Sequence, residues 1–445
     1  MKLKKLICVS TAIILAASCL SGCNGNVNPP DEPIDLNVDY NVSAEITVGI
    51  TPDPIETTFI NTLAEEFNQY YPNVTVTPVL IQGDYIKGVG QRFQADKTRP
   101  GAMPDILFCD STVSYRFIYD EVFENLDTYI DYEEQTNAEY MDQFYDYVMK
   151  LGQKDLNGSQ YVLPRSADRV VTHLNTRVLK EAGVDMTKVK NGWTWEEFLD
   201  VCETVRTHFD NTGRSSQYVL DSYVNWEAVM YPIFCSFGAE IFDDEQNIVI
   251  ENTATEQALN LMKELVTKRY IAPLNSQASA NYEGGQGAMM FHSAPVYKYE
   301  SVLGEDYDLV TFPLIGENPK IGAGLAGYGL YSNSRNKAVA WKFLSFMLSR
   351  EGQNALAEGG STCLPIRMDM ADHTQNAWGS QYTHLNMEAF TYMVEYNQAT
   401  DFYLDFDPDF QSDLIGCLSD LVTNYLNGMT YSKAIAEFKI GVESL

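Results

Sequence analysis

Basic residues are scarce in this chain: 30 Lys and Arg stand against 61 Asp and Glu in 445 residues, a formal charge of −31. Lys2, Lys4 and Lys5 are the only charges in the first 22 residues, so without that stretch 27 basic residues face 61 acidic ones and the charge is −34. So negative a surface repels phosphate backbones and has no basic stripe to release counterions, which excludes a nucleic-acid partner. It also excludes adsorption to an anionic membrane through charge alone. Cysteine is sparse too: of eight, at 8, 19, 23, 109, 202, 235, 363 and 417, only five lie beyond residue 23. An odd number at wide spacing argues against a disulfide framework, and with no CxxC pair a structural zinc site is not expected. Free buried thiols are the expectation. The five histidines are scattered, HExxH, GxSxG and Walker sequences are missing, and no apolar run reaches the 18 or so residues of a spanning helix. There is neither an internal repeat nor a low-complexity tract.

What is present is apolar and aromatic surface. At 45% hydrophobic, with 28 Tyr and 21 Phe, the chain has ample area to bury and is not a disordered polymer. Its length suits two or three compact units. The first residues read as an export signal: the three lysines precede an almost unbroken apolar run over 6–20, too short for a membrane span. Leu20-Ser21-Gly22-Cys23 follows and resembles the bacterial lipobox, whose cysteine carries a diacylglycerol. Residues 1–22 are thus expected to leave as a lipoprotein signal peptide. Cys23 is expected to anchor the protein to the membrane, and 23–41, rich in Pro, Asn and Asp, to serve as a flexible linker.

Beyond the linker, strands and helices alternate. Residues 45–50 (EITVGI), 74–80 (VTVTPVL) and 105–109 (DILFC) read as strands, with Phe59, Leu63 and Phe67 at helical spacing between the first two. Strand–helix–strand order of this kind favours a parallel, doubly wound sheet. A second block opens near Tyr161, with a strand at 170–174 and amphipathic helices at 195–209, 254–266 and 337–348. The chain from Met387 onward reads as helical and Tyr-rich. Two other motifs carry less. GAGLAG over 322–327 spells GxGxxG but runs into a strand-like GLYSNS rather than a helix, so a dinucleotide site is not expected. DFDPD over 405–409 has Phe410 and Gly416 where a calcium loop of EF type needs Gly and Glu.

The order of several short motifs is similar to that of the extracellular solute-binding proteins of ABC importers, in their sugar-binding, maltose-binding-protein-like group. FINTLAEEFNQYYPNVTV (59–76) gives a helix and then YP-x-V-x-V, and MPDILFCDS (103–111) gives the PD-Ile strand that runs into a cleft loop. NGSQYVLP (157–164), HLNT (173–176, with His173 where the family commonly has tyrosine), GWTWEEF (192–198), EGGQGAMMFH (283–292), FPL (312–314) and the run from Gly327 to Gln353 follow in the family's order. RSADR (165–169) is more charged than usual.

The resemblance implies an α/β, two-lobed periplasmic-binding-protein-like fold of type II, each lobe a central, mostly parallel sheet flanked by helices. Lobe I would hold 42–164 and 313–363, and lobe II 165–312 and 364–445. Ligand would sit at strand ends facing the cleft. Family cleft positions fall on Thr51, Asp53, Asp110, Tyr115, Asp168, Arg169, Trp226, Tyr231, His292, Ser293, Tyr328 and Arg367. A neutral sugar suits such a set, because aromatic faces stack on C–H patches and planar polar groups pair with hydroxyls. Bland roles compete: Asp53 as a helix cap, Arg367 as a hinge tie, Trp226 and Tyr231 as core. Arg165, Arg169 and Arg367 would also suit the carboxylate of an acidic sugar.

The implied function is a lipid-anchored, monomeric protein that captures a carbohydrate, an oligosaccharide by expectation, and delivers it to an ABC permease without cofactor, metal or covalent chemistry. The alternatives are a lipoprotein glycosidase using two cleft carboxylates, and a binding protein or sensor for a non-sugar solute such as a polyamine or peptide.

Overall fold

Short β-branched and apolar runs separated by capped amphipathic segments produce two sheets covered by helices. The structure is a computed structural model that describes residues 34–110, 114–153, 158–274, 276–293, 296–358 and 364–445. The signal segment, Cys23 and Cys363 lie outside the described residues, and every element below belongs to the unit Leu36–Leu445. Packing begins at Leu36, which is buried in the first core although it lies in the stretch read as linker.

The first sheet contains β1 (Ala44–Ile50), β2 (Val74–Leu80), β3 (Ile106–Asp110), β4 (Val162–Arg169), β9 (Ile321–Leu330) and β10 (Asn397–Gln398). Its order is β10-β9-β3-β1-β2, with β4 on the other edge of β9. Ile46, Val48 and Ile50 are fully buried, as a central parallel strand requires, and β1 is parallel to both β2 and β3. The helix Pro54–Phe67 is capped by Asp53 and buries Phe59, Ile60, Leu63 and Phe67. β9 then enters antiparallel to β3 and β4.

The second sheet is β6 (Leu220–Asp221), β7 (Met289–His292), β5 (Val171–Asn175) and β8 (Tyr307–Thr311), in that order. The mostly parallel arrangement expected of each lobe does not hold here: β5 is antiparallel to β7 and β8, and only the two-residue β6 runs parallel to its neighbour. The reason lies in the chain path. β5 follows β4 after Val170 alone, so its direction is set by the crossing and not by a βαβ return. The helix Trp195–Asn211 flanks this sheet, started by a capping box in which Thr194 and Glu197 satisfy each other's backbone donors.

Two hydrophobic cores result. Leu163, Leu325 and Leu330 belong to the first, Val170 and Ile321 to the second, so β4 and β9 carry the chain from one core to the other. The first core also takes in Met290, Tyr299 and Tyr307 from around the second sheet.

The helical reading from Met387 onward needs correction. Residues 399–407 are irregular after the short β10, and the long helices are Pro408–Leu426 and Tyr431–Glu443. Among the described residues no helix is long and apolar enough to cross a membrane. Cys109 and Cys202 are buried free thiols, while Cys235 and Cys417 are half-buried and free.

Candidate functional site

Strand ends and helix starts from both sheets surround a cavity of about 230 Å³. Asp110 reaches it from the end of β3, Asp168 and Arg169 from the end of β4, and Ser293 from just beyond β7. Trp226 and Glu227 line it from the start of the helix Glu227–Ser236, whose N-cap is Trp226. Gly322, Ala323, Gly324 and Leu325 of β9 form its floor, and Thr400 and Tyr403 close it from the irregular segment after β10. The GxGxxG run is therefore strand, as expected, and its small residues leave the space that the cavity occupies.

The electrostatics are acidic. Asp110, Asp168 and Glu227 supply three carboxylates against the single guanidinium of Arg169. Burial pushes the Asp168 carboxyl above its ordinary range, opposed by hydrogen bonds from the Arg169 amide (3.0 Å) and the Ser293 side chain. Arg169 is 1% exposed and donates to the carbonyl oxygens of Ala389 (3.2 Å), Tyr392 (2.5 Å) and Met393 (3.4 Å). Burial lowers it to about 10, so it keeps its charge at neutral pH.

Five of the twelve expected contact residues line the cavity: Asp110, Asp168, Arg169, Trp226 and Ser293. The other seven do not. Thr51 stands in the turn after β1 and accepts from the Asp53 amide (2.7 Å) through its carbonyl. Asp53 spends its carboxylate on the Ile55 amide (2.8 Å) as a helix cap. Tyr115 is buried in the helix Ser114–Tyr119 and lines a neighbouring cavity. Tyr231 donates to Asp401 (2.5 Å) and packs on Phe402. His292 stacks on Trp226, with centroids 5.4 Å apart at 29°, and so holds a cavity residue without being one. Tyr328 is fully buried and donates to Glu56 (2.9 Å). Arg367 pairs with Asp369 (2.9 Å) and donates to the Gln143 side chain (2.7 Å).

Of the three arginines that would suit an acidic sugar, Arg169 lines the cavity and Arg165 and Arg367 do not. Arg165 forms a buried ion pair with Glu56, Arg367 is held by Asp369, and Arg169 is bound to carbonyls. DFDPD is a helix start: Asp407 caps Pro408–Leu426 by accepting from the Asp409 amide (2.9 Å), and Asp409 pairs with Arg116. Among the described residues no group of three or more His, Cys, Asp or Glu converges as a metal site.

Sequence reasoning missed Glu227, Thr400, Tyr403 and the small residues of β9. Glu227 was within sight beside Trp226 in DSYVNWEAVMYP. Tyr403 lies in an aromatic run that carries no period, and nothing local ties it to the cavity.

Comparison with known proteins places this architecture. The model of the bacterial extracellular solute-binding protein family matches residues 62–389. An arabinooligosaccharide-binding protein of Halalkalibacterium halodurans is 24% identical over 160 residues, which is 36% of this chain and 31% of that protein. The chain therefore aligns with less than a third of that relative's length. Among solved structures, the cyclic alpha-maltosyl-1,6-maltose binding protein from Arthrobacter globiformis superposes with a TM-score of 0.72 at 16% identity, covering 91% of this chain and 99% of that one. An ABC substrate-binding protein from Listeria monocytogenes in complex with cycloalternan gives 0.68 at 18% identity, covering 91% and 99%. These likenesses establish the periplasmic-binding-protein-like fold, and the family model covers well over half of the sequence: the chain belongs to the bacterial extracellular solute-binding protein family.

Proposed function

We propose that this protein captures a neutral oligosaccharide between two lobes and hands it to the permease of an ABC importer, working as a monomer held at the membrane by a lipid on Cys23. One observation carries the reading: a single cavity combines the aromatic rings of Trp226 and Tyr403 with the acceptor groups of Asp110, Asp168 and Glu227. Rings pack on the C–H faces of a sugar, and carboxylates accept from its hydroxyls. The arabinooligosaccharide-binding relative and the sugar-bound neighbours support the same ligand class. The lobes are taken as 42–164 with 313–363, and 165–312 with 364–445; Phe59, Leu163 and Leu344 of the first core and Phe198, Val229 and Leu418 of the second follow that division, whereas Trp378 and Phe390 lie in the first core. Ligand touching both lobes stabilises the closed arrangement by its differential affinity.

The three carboxylates also favour a second reading, a cationic solute such as a polyamine, while they repel an acidic sugar. A thermal-shift screen of the protein against malto- and arabino-oligosaccharides, uronates, polyamines and peptides separates these. An oligosaccharide at about 100 times its dissociation constant adds about 2.7 kcal/mol of stability. The saccharide is recovered chemically intact; its consumption would instead make the protein a glycosidase. In Asp168→Asn the same saccharide binds about tenfold or more weakly, because a hydrogen bond to a charged group is worth about 1.5–3 kcal/mol. Stabilisation by polyamine alone moves the ligand class to the second reading.

A further inference from the structure

Residues 399–407 join β10 to the helix Pro408–Leu426 without regular structure of their own, yet they carry Thr400 and Tyr403 into the cavity. Both ends of the segment are fixed. β10 pairs with Ile321 and Gly322 of β9, the Gln246 side chain donates to the Asp405 carbonyl (2.7 Å), and Phe406 packs against Phe242 with centroids 4.6 Å apart. Between those ends Tyr231 holds two successive residues. Its hydroxyl donates to the Asp401 carboxylate at 2.5 Å, and its ring packs on Phe402 with centroids 5.2 Å apart at 38°. Asp401 and Phe402 are the two residues that separate Thr400 from Tyr403.

Tyr231 belongs to the helix Glu227–Ser236 and stands four residues beyond Glu227, a spacing that puts the two on one helix face. The helix therefore serves the cavity twice. At its start it presents Trp226 and Glu227, and one turn later it fixes the segment that brings Thr400 and Tyr403. The Tyr403 phenol interacts electrostatically with both Glu227 and Asp401, so the two contributions converge on one ring.

The pair is poorly suited to stabilising the fold. Among the described residues Asp401 has no cationic partner; its side-chain bonds come from Tyr231 and, at 3.3 Å, from Gln398. Burial pushes its carboxyl above the ordinary range, and the bond from Tyr231 opposes that shift. A carboxylate withdrawn from water without a counter-charge is less favourable than an apolar pair of the same shape. What the bond supplies is direction, because a phenol donating to a carboxylate fixes a distance and an angle that ring packing leaves free. We propose that Tyr231 and Asp401 are positioning residues for ligand binding: their hydrogen bond sets the course of residues 399–407 and so places Thr400 and Tyr403 beside Trp226 and Glu227. Neither of the two lines the cavity. The choice of a saccharide as the ligand rests on the carbohydrate reading above.

Isothermal titration with maltotetraose and arabinotetraose, paired with calorimetry of the ligand-free protein, tests it. Tyr231→Phe keeps the ring on Phe402 and removes only the hydroxyl; Asp401→Ala removes the acceptor from the other side. Each weakens the tetrasaccharide that binds by about threefold to tenfold, and the double variant is no weaker than either alone, because both act through one bond. Asp401→Asn, which keeps an acceptor oxygen for the hydroxyl, recovers most of the affinity lost in Asp401→Ala. A purely structural pair would lower the thermal stability of the variants and leave affinity where it was. Unchanged affinity in Tyr231→Phe or in Asp401→Ala, additive losses in the double variant, or no recovery in Asp401→Asn overturns the positioning role and leaves the carbohydrate reading standing. Failure of both tetrasaccharides to bind the unaltered protein removes the carbohydrate reading, and the positioning role falls with it.

Discussion

His173 illustrates how much one buried side chain governs. It is fully buried on β5, its Nδ1 lies 2.7 Å from the Tyr307 hydroxyl and its Nε2 3.4 Å from the Ser293 carbonyl. Ser293 in turn holds Asp168, so the imidazole supports the cavity wall from behind. Burial pushes its pKa down from 6.5 to about 3, with His292 adding to the effect, and the ring is neutral in the fold. The sign of the pH dependence follows. The unfolded chain takes up a proton near pH 6.5 and the folded chain does not until about 3, so the contribution to stability is complete above 6.5 and is lost as pH falls through that window. Between pH 7 and pH 5 the loss from this residue is about 2 kcal/mol. Denaturant titrations at the two pH values should show His173→Gln losing about 2 kcal/mol less over that interval than the unaltered protein; equal losses would mean that the imidazole is protonated in the folded state. At this scale the sequence was an uneven guide. Asp110 and Asp168 were legible because acidic residues beside strand ends have no core role to play. Tyr328 and Tyr231 were not, because a buried tyrosine that donates to Glu56 or Asp401 has the same letters around it as one that faces a ligand.

Among the elements, β9 does the most to define the site. A Cβ at Gly322 would lie 1.8 Å from the Ala228 carbonyl oxygen and 3.1 Å from a Val170 methyl, so the strand and the first turn of the helix Glu227–Ser236 approach as closely as they do because no side chain intervenes. Gly322→Ala has to push that turn away and take Trp226 and Glu227 with it. A loss of about 1–3 kcal/mol in stability is expected from such overpacking, together with weaker ligand binding. Gly416→Ala is the matching control: it lies in the helix Pro408–Leu426 with nothing within 4 Å of its Cβ, and should stabilise by up to about 1 kcal/mol. Calorimetry of the two variants side by side checks both signs. Helices with local punctuation were readable in advance: Thr194 and Glu197 announce Trp195–Asn211, and alternating apolar residues announce β1. The irregular 399–407 segment was not, because distant partners hold it. β10 just before it pairs with Ile321 and Gly322 of β9, and Tyr231 fixes Asp401 from another helix, so no periodicity within the segment could reveal its course.

For the whole molecule, the proposed closure around ligand raises the question of what else ties the two cores together. β4 and β9 join the two cores covalently, and between the helices Ser114–Tyr119 and Pro408–Leu426 an ion pair does so without a covalent link. Arg116 belongs to a helix whose Phe117 and Ile118 sit in the first core. Asp409 opens the helix whose Leu418 and Leu421 sit in the second, and the two side chains pair directly. Their side chains are 36% and 68% exposed, so the pair is worth only about 0.2–1 kcal/mol and is screened by salt. A contribution of that size cannot hold the protein closed without ligand, but it does raise the fraction of molecules competent to bind, and apparent affinity scales with that fraction. Arg116→Gln and Asp409→Asn should each weaken saccharide binding about 1.5-fold to fivefold at low ionic strength while leaving thermal stability nearly unchanged. At about 0.5 M salt, where the screening length falls to roughly 4 Å, the difference from the unaltered protein should vanish, and the double variant should match the single ones at either ionic strength. Isothermal titrations at the two salt concentrations decide it. A loss of affinity that survives high salt would assign these residues to direct contact with the sugar, and no loss at either concentration would leave closure to the ligand and the two crossing strands alone.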